Sequence, residues 1–202
     1  PGIWKIANFL DANMLTRVQD AVNRAGFDHG KYDRCNDATS HRHLDNKFCF
    51  CLSEESAVNE ADSQLVADLI DRMSLVWPTK GFKRDHFDVM LTRGGCTHSL
   101  LHRDLDDNDP NKLNLATVTS ILYLSDGGAG TYFPYAGVNG TLAIPEQGSM
   151  LTWLNVNADG SPQAEATHGV QASAEDDPDR LVLGYRMTFT AEELDESGTA
   201  LW

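Results

Sequence analysis

Apolar residues early in the chain recur at helical spacing. Met14, Leu15, Val18, Ala21, Val22 and Ala25 fall three, four and seven positions apart. That pattern predicts an amphipathic helix over 12–25, capped by Asp11 and ended by Gly26. The segment 3–9 ahead of it is apolar and reads as extended. A second helical pattern, Leu65, Leu69, Ile70, Met73, Val76 and Trp77, predicts a helix over 61–77 that Pro78 closes. Between the two, residues 28–46 are polar, carry His29, His41 and His43, and read as an exposed loop. Strands then dominate. Phe87 to Leu91 is one, broken by Gly94-Gly95. Leu100-Leu101 leads into His102, a strand runs through Tyr123-Leu124, and another spans Arg180 to Arg186.

The 202 residues, 41% of them hydrophobic, suffice for one good-sized domain. No run is long enough to span a bilayer, there is no N-terminal signal pattern, and a cytoplasmic protein is favoured. The first residue is Pro1, so a piece of a longer chain is one expectation, and a leader ahead of it stays open. The net charge of −14 argues against a nucleic-acid partner, which would call for Lys and Arg, and against adhesion to anionic membranes. Cys35, Cys49, Cys51 and Cys96 show no CxxC spacing. In Phe48-Cys49-Phe50-Cys51-Leu52 the two cysteines share one face, read as part of a buried strand in a reducing compartment.

The candidate chemistry lies between His102 and Arg186. In His102-Arg103-Asp104 the imidazole and carboxylate are two positions apart, so on a strand they point to one face. The distal His168 would complete a set of two histidines and one carboxylate, which leaves part of an octahedral ion open and suits non-heme iron(II). A structural zinc site would more often fill four positions, commonly with Cys. The motif alone is weak, and His86-Phe87-Asp88 repeats it as a decoy. His41-x-His43 reads as surface or substrate entrance, with no third ligand at a helpful spacing. Asp106, Asp107 and Asp109 read as a solvated turn or as an acidic lip drawing a cationic substrate.

The surroundings favour His102 over the decoy. After it come Val118-Thr119-Ser120-Ile121-Leu122-Tyr123-Leu124, then Gly127-Gly128-Ala129-Gly130-Thr131-Tyr132-Phe133-Pro134, then Pro145-Glu146-Gln147-Gly148, and last His168-Gly169. In this order the second half of the chain resembles the iron(II)/2-oxoglutarate dioxygenases, in particular their prolyl 4-hydroxylase-type branch. The resemblance implies a mainly β fold, a double-stranded β-helix (jelly-roll, cupin-like) with N-terminal supporting helices. It implies iron(II) held by His102, Asp104 and His168. A basic residue after the distal His would meet the far carboxylate of 2-oxoglutarate. Arg180 and Arg186 both qualify and should share a face; Arg180 is chosen, because deleting the acidic insertion 174–179 restores the family's shorter spacing. Tyr123 matches a tyrosine whose hydroxyl meets the same carboxylate. The family's frequent Tyr before the first His is Thr92 here, the acidic residue of its Gly-Gly turn is Gly130, and the loop 105–115 is long and acidic.

These readings give one dioxygenase domain over 1–202, with helical support in 1–83 and the β-helix core in 84–192. The expected cofactors are Fe(II), 2-oxoglutarate and dioxygen, with ascorbate as a candidate addition. The first expected substrate is a prolyl residue in a peptide or protein, and the second a free amino acid or small natural product. A metal- or sugar-holding β-helix module without turnover is a reading from another class. A kinase is excluded, although His102-Arg103-Asp104-Leu105 begins like a kinase catalytic loop: the Asn five positions after the Asp is replaced by Asp109, and there is no Asp-Phe-Gly.

Overall fold

The computed structural model describes residues 2–28, 33–36, 43–77, 85–104, 117–157 and 159–188. Its strands are β1 (Ile3–Ile6), β2 (Asp33–Asn36), β3 (His43–Ser53), β4 (His86–Thr92), β5 (Val118–Tyr123), β6 (Thr131–Phe133), β7 (Thr141–Ala143), β8 (Met150–Leu154), β9 (Gly169–Val170) and β10 (Arg180–Met187). Its helices are α1 (Ala12–Asn23) and α2 (Glu60–Val76).

Both helices start where a side chain can take up a free amide. The Asp11 carboxylate accepts from the Met14 N–H at 2.8 Å, and the Asn59 side chain accepts from the Asp62 N–H at 2.9 Å. The first helix does not stop at Gly26. It runs into a π-helical turn over Arg24–Asp28, with Gly26 inside it. Arg24, at the junction, donates through Nε to the buried Asp62 at 3.1 Å, so the widened turn is tied to the start of α2.

Strands β1-β8-β5-β10-β4-β3-β2, in that spatial order, form an antiparallel seven-stranded sheet; β7-β6-β9 form a three-stranded one. The helices supply Val18, Val22, Leu65, Leu69 and Met73 to a core with Phe87, Val89, Leu122, Leu183 and Tyr185 from one face of the large sheet. Tyr123, Leu151, Trp153 and Val182 from the other face meet Phe133 and Ala143 of the small sheet. Two antiparallel sheets facing one another, with helices outside the larger, make a double-stranded β-helix. Strand β5 lies in the middle and is buried at every position. The end of α2 is bonded through to the sheet: Trp77 Nε1 donates to the Thr152 hydroxyl at 2.9 Å, which donates to the Thr119 carbonyl at 3.1 Å.

Two expectations change. Residues 28–46 are not one loop, since they contain β2 and the start of β3. A strand at a sheet edge is templated by its neighbour's backbone and needs no apolar alternation, so polar composition hid it. His29 and His41, and the side chain of His43, lie outside the described residues. The cysteines of β3 do not face the core. Leu52 is buried, whereas Cys49 is half-buried and Cys51 exposed. The region 1–83 thus gives the large sheet β1, β2 and β3 as well as both helices. No described helix is long and apolar enough to cross a membrane.

Leu69→Ala, at a fully buried position, should cost about 2–5 kcal/mol in denaturant unfolding. Leu75→Ala on the same helix, 83% exposed, should stay within about 0.5 kcal/mol.

Candidate metal centre

The two histidines are brought together by the backbone. The His102 N–H donates to the His168 carbonyl and the His168 N–H to the His102 carbonyl, both at 2.9 Å. This is an isolated antiparallel bridge rather than the strand expected at 102–104. Residues opposite one another in such a pair project to one side, and the imidazole centroids lie 4.5 Å apart. Just upstream the Ser99 N–H donates to the Val170 carbonyl at 2.9 Å, and the Val170 N–H to the Ser99 hydroxyl at 2.6 Å. Gly169 allows this approach, since a Cβ there would sit 3.2 Å from the Ser99 carbonyl oxygen. Asp104 follows in a bend and turns its carboxylate back toward both rings.

Each ring is oriented in the same way. His102 Nδ1 lies 3.0 Å from the Leu100 carbonyl and His168 Nδ1 2.9 Å from the Ala166 carbonyl, each two residues back. A carbonyl can only accept, so Nδ1 carries the hydrogen and Nε2 presents a lone pair. The Nε2 atoms face Asp104 at 3.7 Å from Oδ1 and 3.8 Å from Oδ2. The three donor atoms all lie within 4.8 Å of one another. Metal–ligand bonds of about 2.1 Å put neighbouring octahedral donors about 3 Å apart, so closing on one ion needs shifts of under about 1 Å. Two oriented neutral imidazoles and one carboxylate fit a divalent first-row metal.

Burial alone would raise the Asp104 carboxyl, whose side chain is 4% exposed. Attraction to His168 when it is protonated, to Arg186 and to His102, with the Thr119 hydrogen bond, outweighs that and holds it below the usual carboxylate range. Thr119 Oγ1 donates to Oδ2 at 2.8 Å, and Arg186 Nη2 to Oδ1 at 3.3 Å. His168 is pushed the other way: burial lowers it, partly opposed by Asp104. It is buried against the Trp153 ring, with centroids 4.7 Å apart. An ionised aspartate beside a neutral histidine is the protonation state that metal ligation requires.

A second charged group lines the same cavity of about 100 Å³. Arg180, at the start of β10, is 2% exposed. Its Nη2 donates to Thr131 Oγ1 at 3.1 Å, and the Tyr123 hydroxyl lies 3.2 Å from the same oxygen. Among the described residues no carboxylate forms an ion pair with it, and its buried Nε has no hydrogen bond. Burial pushes the guanidinium below its ordinary value, with Tyr123 opposing. A buried cation without a counter-charge is costly, so this guanidinium is suited to an anion that is not among the described residues.

The insertion 174–179 folds into a self-contained turn. The Ala174 N–H donates to Asp177 Oδ2 at 2.7 Å, and the turn rests on Gly94-Gly95 through Gly95 N–H to the Ala174 carbonyl, also 2.7 Å. At Gly94 a Cβ would lie 2.7 Å from the carbonyl oxygens of Asp177 and Glu175. Arg180 begins the strand directly after this turn. Arg186 shares its face of β10 but reaches Asp104 and, at 3.9 Å, Asp88. Sequence reasoning gave no role to Thr119 or Thr131. Thr131 closes the Gly-rich turn of the family motif, which was its available signal; Thr119, two residues into a buried strand, carried none. The acidic residues Asp106, Asp107 and Asp109 lie outside the described residues.

No protein-family model and no curated protein matches this chain. Solved structures do. The viral collagen prolyl hydroxylase of Paramecium bursaria Chlorella virus-1, in its 2OG complex, is 15% identical with a TM-score of 0.66, over 94% of this chain and 97% of that one. A prolyl hydroxylase of Trichoplax adhaerens, in complex with a peptide of the hypoxia-inducible factor oxygen degradation domain, is 16% identical with a TM-score of 0.67, over 97% and 87%. A non-heme alpha-ketoglutarate-dependent carbocyclase from nogalamycin biosynthesis is 12% identical with a TM-score of 0.64, over 93% and 80%. The chain shares their fold.

Thr119→Val should weaken divalent-metal affinity about 10- to 100-fold by freeing one Asp104 oxygen, read by competition with a chromophoric chelator. An unchanged affinity would remove Thr119 from the centre.

Proposed function

We propose that the protein is an iron(II)- and 2-oxoglutarate-dependent dioxygenase that hydroxylates an unactivated C–H bond. The observation that carries this reading is a conjunction: three convergent donors and a buried guanidinium with no counter-charge among the described residues line one cavity. A metal-holding module without turnover would have no use for the second feature.

In this reading His102, Asp104 and His168 hold the iron. Arg180, with Tyr123 and Thr131 at its side, binds the far carboxylate of 2-oxoglutarate. When bound, the two supply the oxidising chemistry: 2-oxoglutarate is decarboxylated to succinate and carbon dioxide as dioxygen is consumed, and one oxygen atom enters the substrate. The chain's own work is placement and exclusion. The backbone pair between residues 102 and 168 sets the donors, while Thr119 and Arg186 fix the carboxylate that both imidazoles face. Trp153 and Ile121 wall the cavity with apolar surface and keep water out. No side-chain acid or base is required.

A prolyl residue in a peptide or protein is the first substrate reading. It is supported by a groove of about 900 Å³ lined by Leu100, Leu101, Tyr132, Val170 and Gln171, which shares Val170 with the cavity. Leu100 and Leu101 are 60% and 52% exposed and offer apolar surface beside His102. The prolyl hydroxylases of this fold point the same way. The carbocyclase of the same fold favours a small natural product as the second reading. A panel of proline-containing peptides, free amino acids and small natural products, read by mass spectrometry for one added oxygen, separates them.

Asp104→Ala should abolish iron-dependent succinate formation, because it removes the one anionic donor of the three; near-wild-type succinate would overturn the ligand assignment. Arg180→Ala should raise the KM for 2-oxoglutarate by about 30-fold or more, equivalent to the roughly 2 kcal/mol or more lost when one partner of a buried charge pair is truncated. Arg186→Ala should raise it far less, and the reverse ranking would move the clamp to Arg186.

A further inference from the structure

Among the described residues a second group of donors converges on the large sheet, outside the triad: Cys51, His86 and Asp88. We infer that Cys51, His86 and Asp88 form a separate site for a borderline-soft divalent cation of the zinc class.

The placement follows from register. Cys51 on β3 stands directly opposite Asp88 on β4, and His86 lies two residues before Asp88 on the same face. The Cys51 sulfur is 4.0 Å from Asp88 Oδ1, His86 Nε2 is 3.9 Å from that oxygen, and all three donor atoms lie within 4.8 Å of one another. Bonds of about 2.3 Å to sulfur and about 2.0–2.2 Å to nitrogen or oxygen place tetrahedral donors roughly 3.3–3.7 Å apart, so the two separations to Asp88 need to close by about half an ångström and the third by no more than about 1.5 Å.

The imidazole is also oriented for the task. His86 Nδ1 lies 2.8 Å from Asp85 Oδ1, which leaves Nε2 toward the other two donors. A carboxylate behind a ligating histidine fixes its ring and raises its basicity. Cys51 is exposed and the other two are half-buried, so an ion can enter from solvent and keep a water as fourth ligand. The donor set differs from the first centre in having a sulfur. Thiolate with imidazole selects zinc-class ions over the hard cations that oxygen-rich sites take.

The sulfur makes the two sites separable. Co²⁺ titrated anaerobically into the wild-type protein should give a thiolate-to-metal charge-transfer band that saturates by two equivalents per chain, one ion in each site, and is bleached by Zn²⁺. His102→Ala should keep the band. Cys51→Ser and His86→Ala should each lose it while melting like wild type, and Cys51→Ser should retain its succinate formation under stoichiometric iron. No band in the wild type, a band that survives Cys51→Ser, or a band that Zn²⁺ does not bleach would each overturn this site. The readout does not depend on turnover: a protein that makes no succinate yet shows the band loses the dioxygenase reading and keeps this one.

Discussion

Two hydrogen bonds, running both ways between the peptide groups of His102 and His168, are the constraint on which the centre depends. The residues are sixty-six positions apart in sequence, and neither belongs to a named strand. What holds them is a bridge one residue long, continued by the contacts of Ser99 with Val170 of β9, the edge of the small sheet. Each imidazole is then steered by the carbonyl two residues behind it. The donor geometry is thus written almost entirely in backbone, which leaves few side-chain freedoms to be lost when an ion closes the set.

The electrostatics follow the same economy. Asp104 is buried yet anionic because cationic and hydrogen-bonding groups surround it, and Arg180 is buried and cationic with no matching anion among the described residues. The two charges lie in one cavity but are not paired with each other. Arg186 answers Asp104, while Arg180 is left to Tyr123 and Thr131. A neutral molecule at the Arg180 end would leave the guanidinium desolvated without compensation.

How much of this could be read beforehand depends on what each segment has to bury. Helices α1 and α2 and strand β4 pack one face against the core, so their pattern announces them, whereas β5, buried at every position, and β10 are legible from the order of motifs. The edge strand β2 and the start of β3 are polar in sequence, without apolar alternation, and read as loop. The π-helical turn after α1 is fixed alongside a distant partner, Asp62, which no local rule contains. In β3 the shared face of Cys49 and Cys51 is legible, but that this face is the outward one of a strand buried on one side only is not. The convergence of His102, Asp104 and His168 came from the order of motifs; the roles of Thr119 and Arg186 came only from cross-strand register, where residue 119 sits opposite residue 186.

The turn over 174–179 has a consequence for how such chains diverge. It closes on its own aspartate and leans on two glycines, while the register of β10 is set independently by ten or so residues of β4 and β5 on either side. Length can therefore be gained or lost there without rotating Arg180 away from the cavity. The place of Arg180 is therefore set by the strand it opens and not by its distance in sequence from His168.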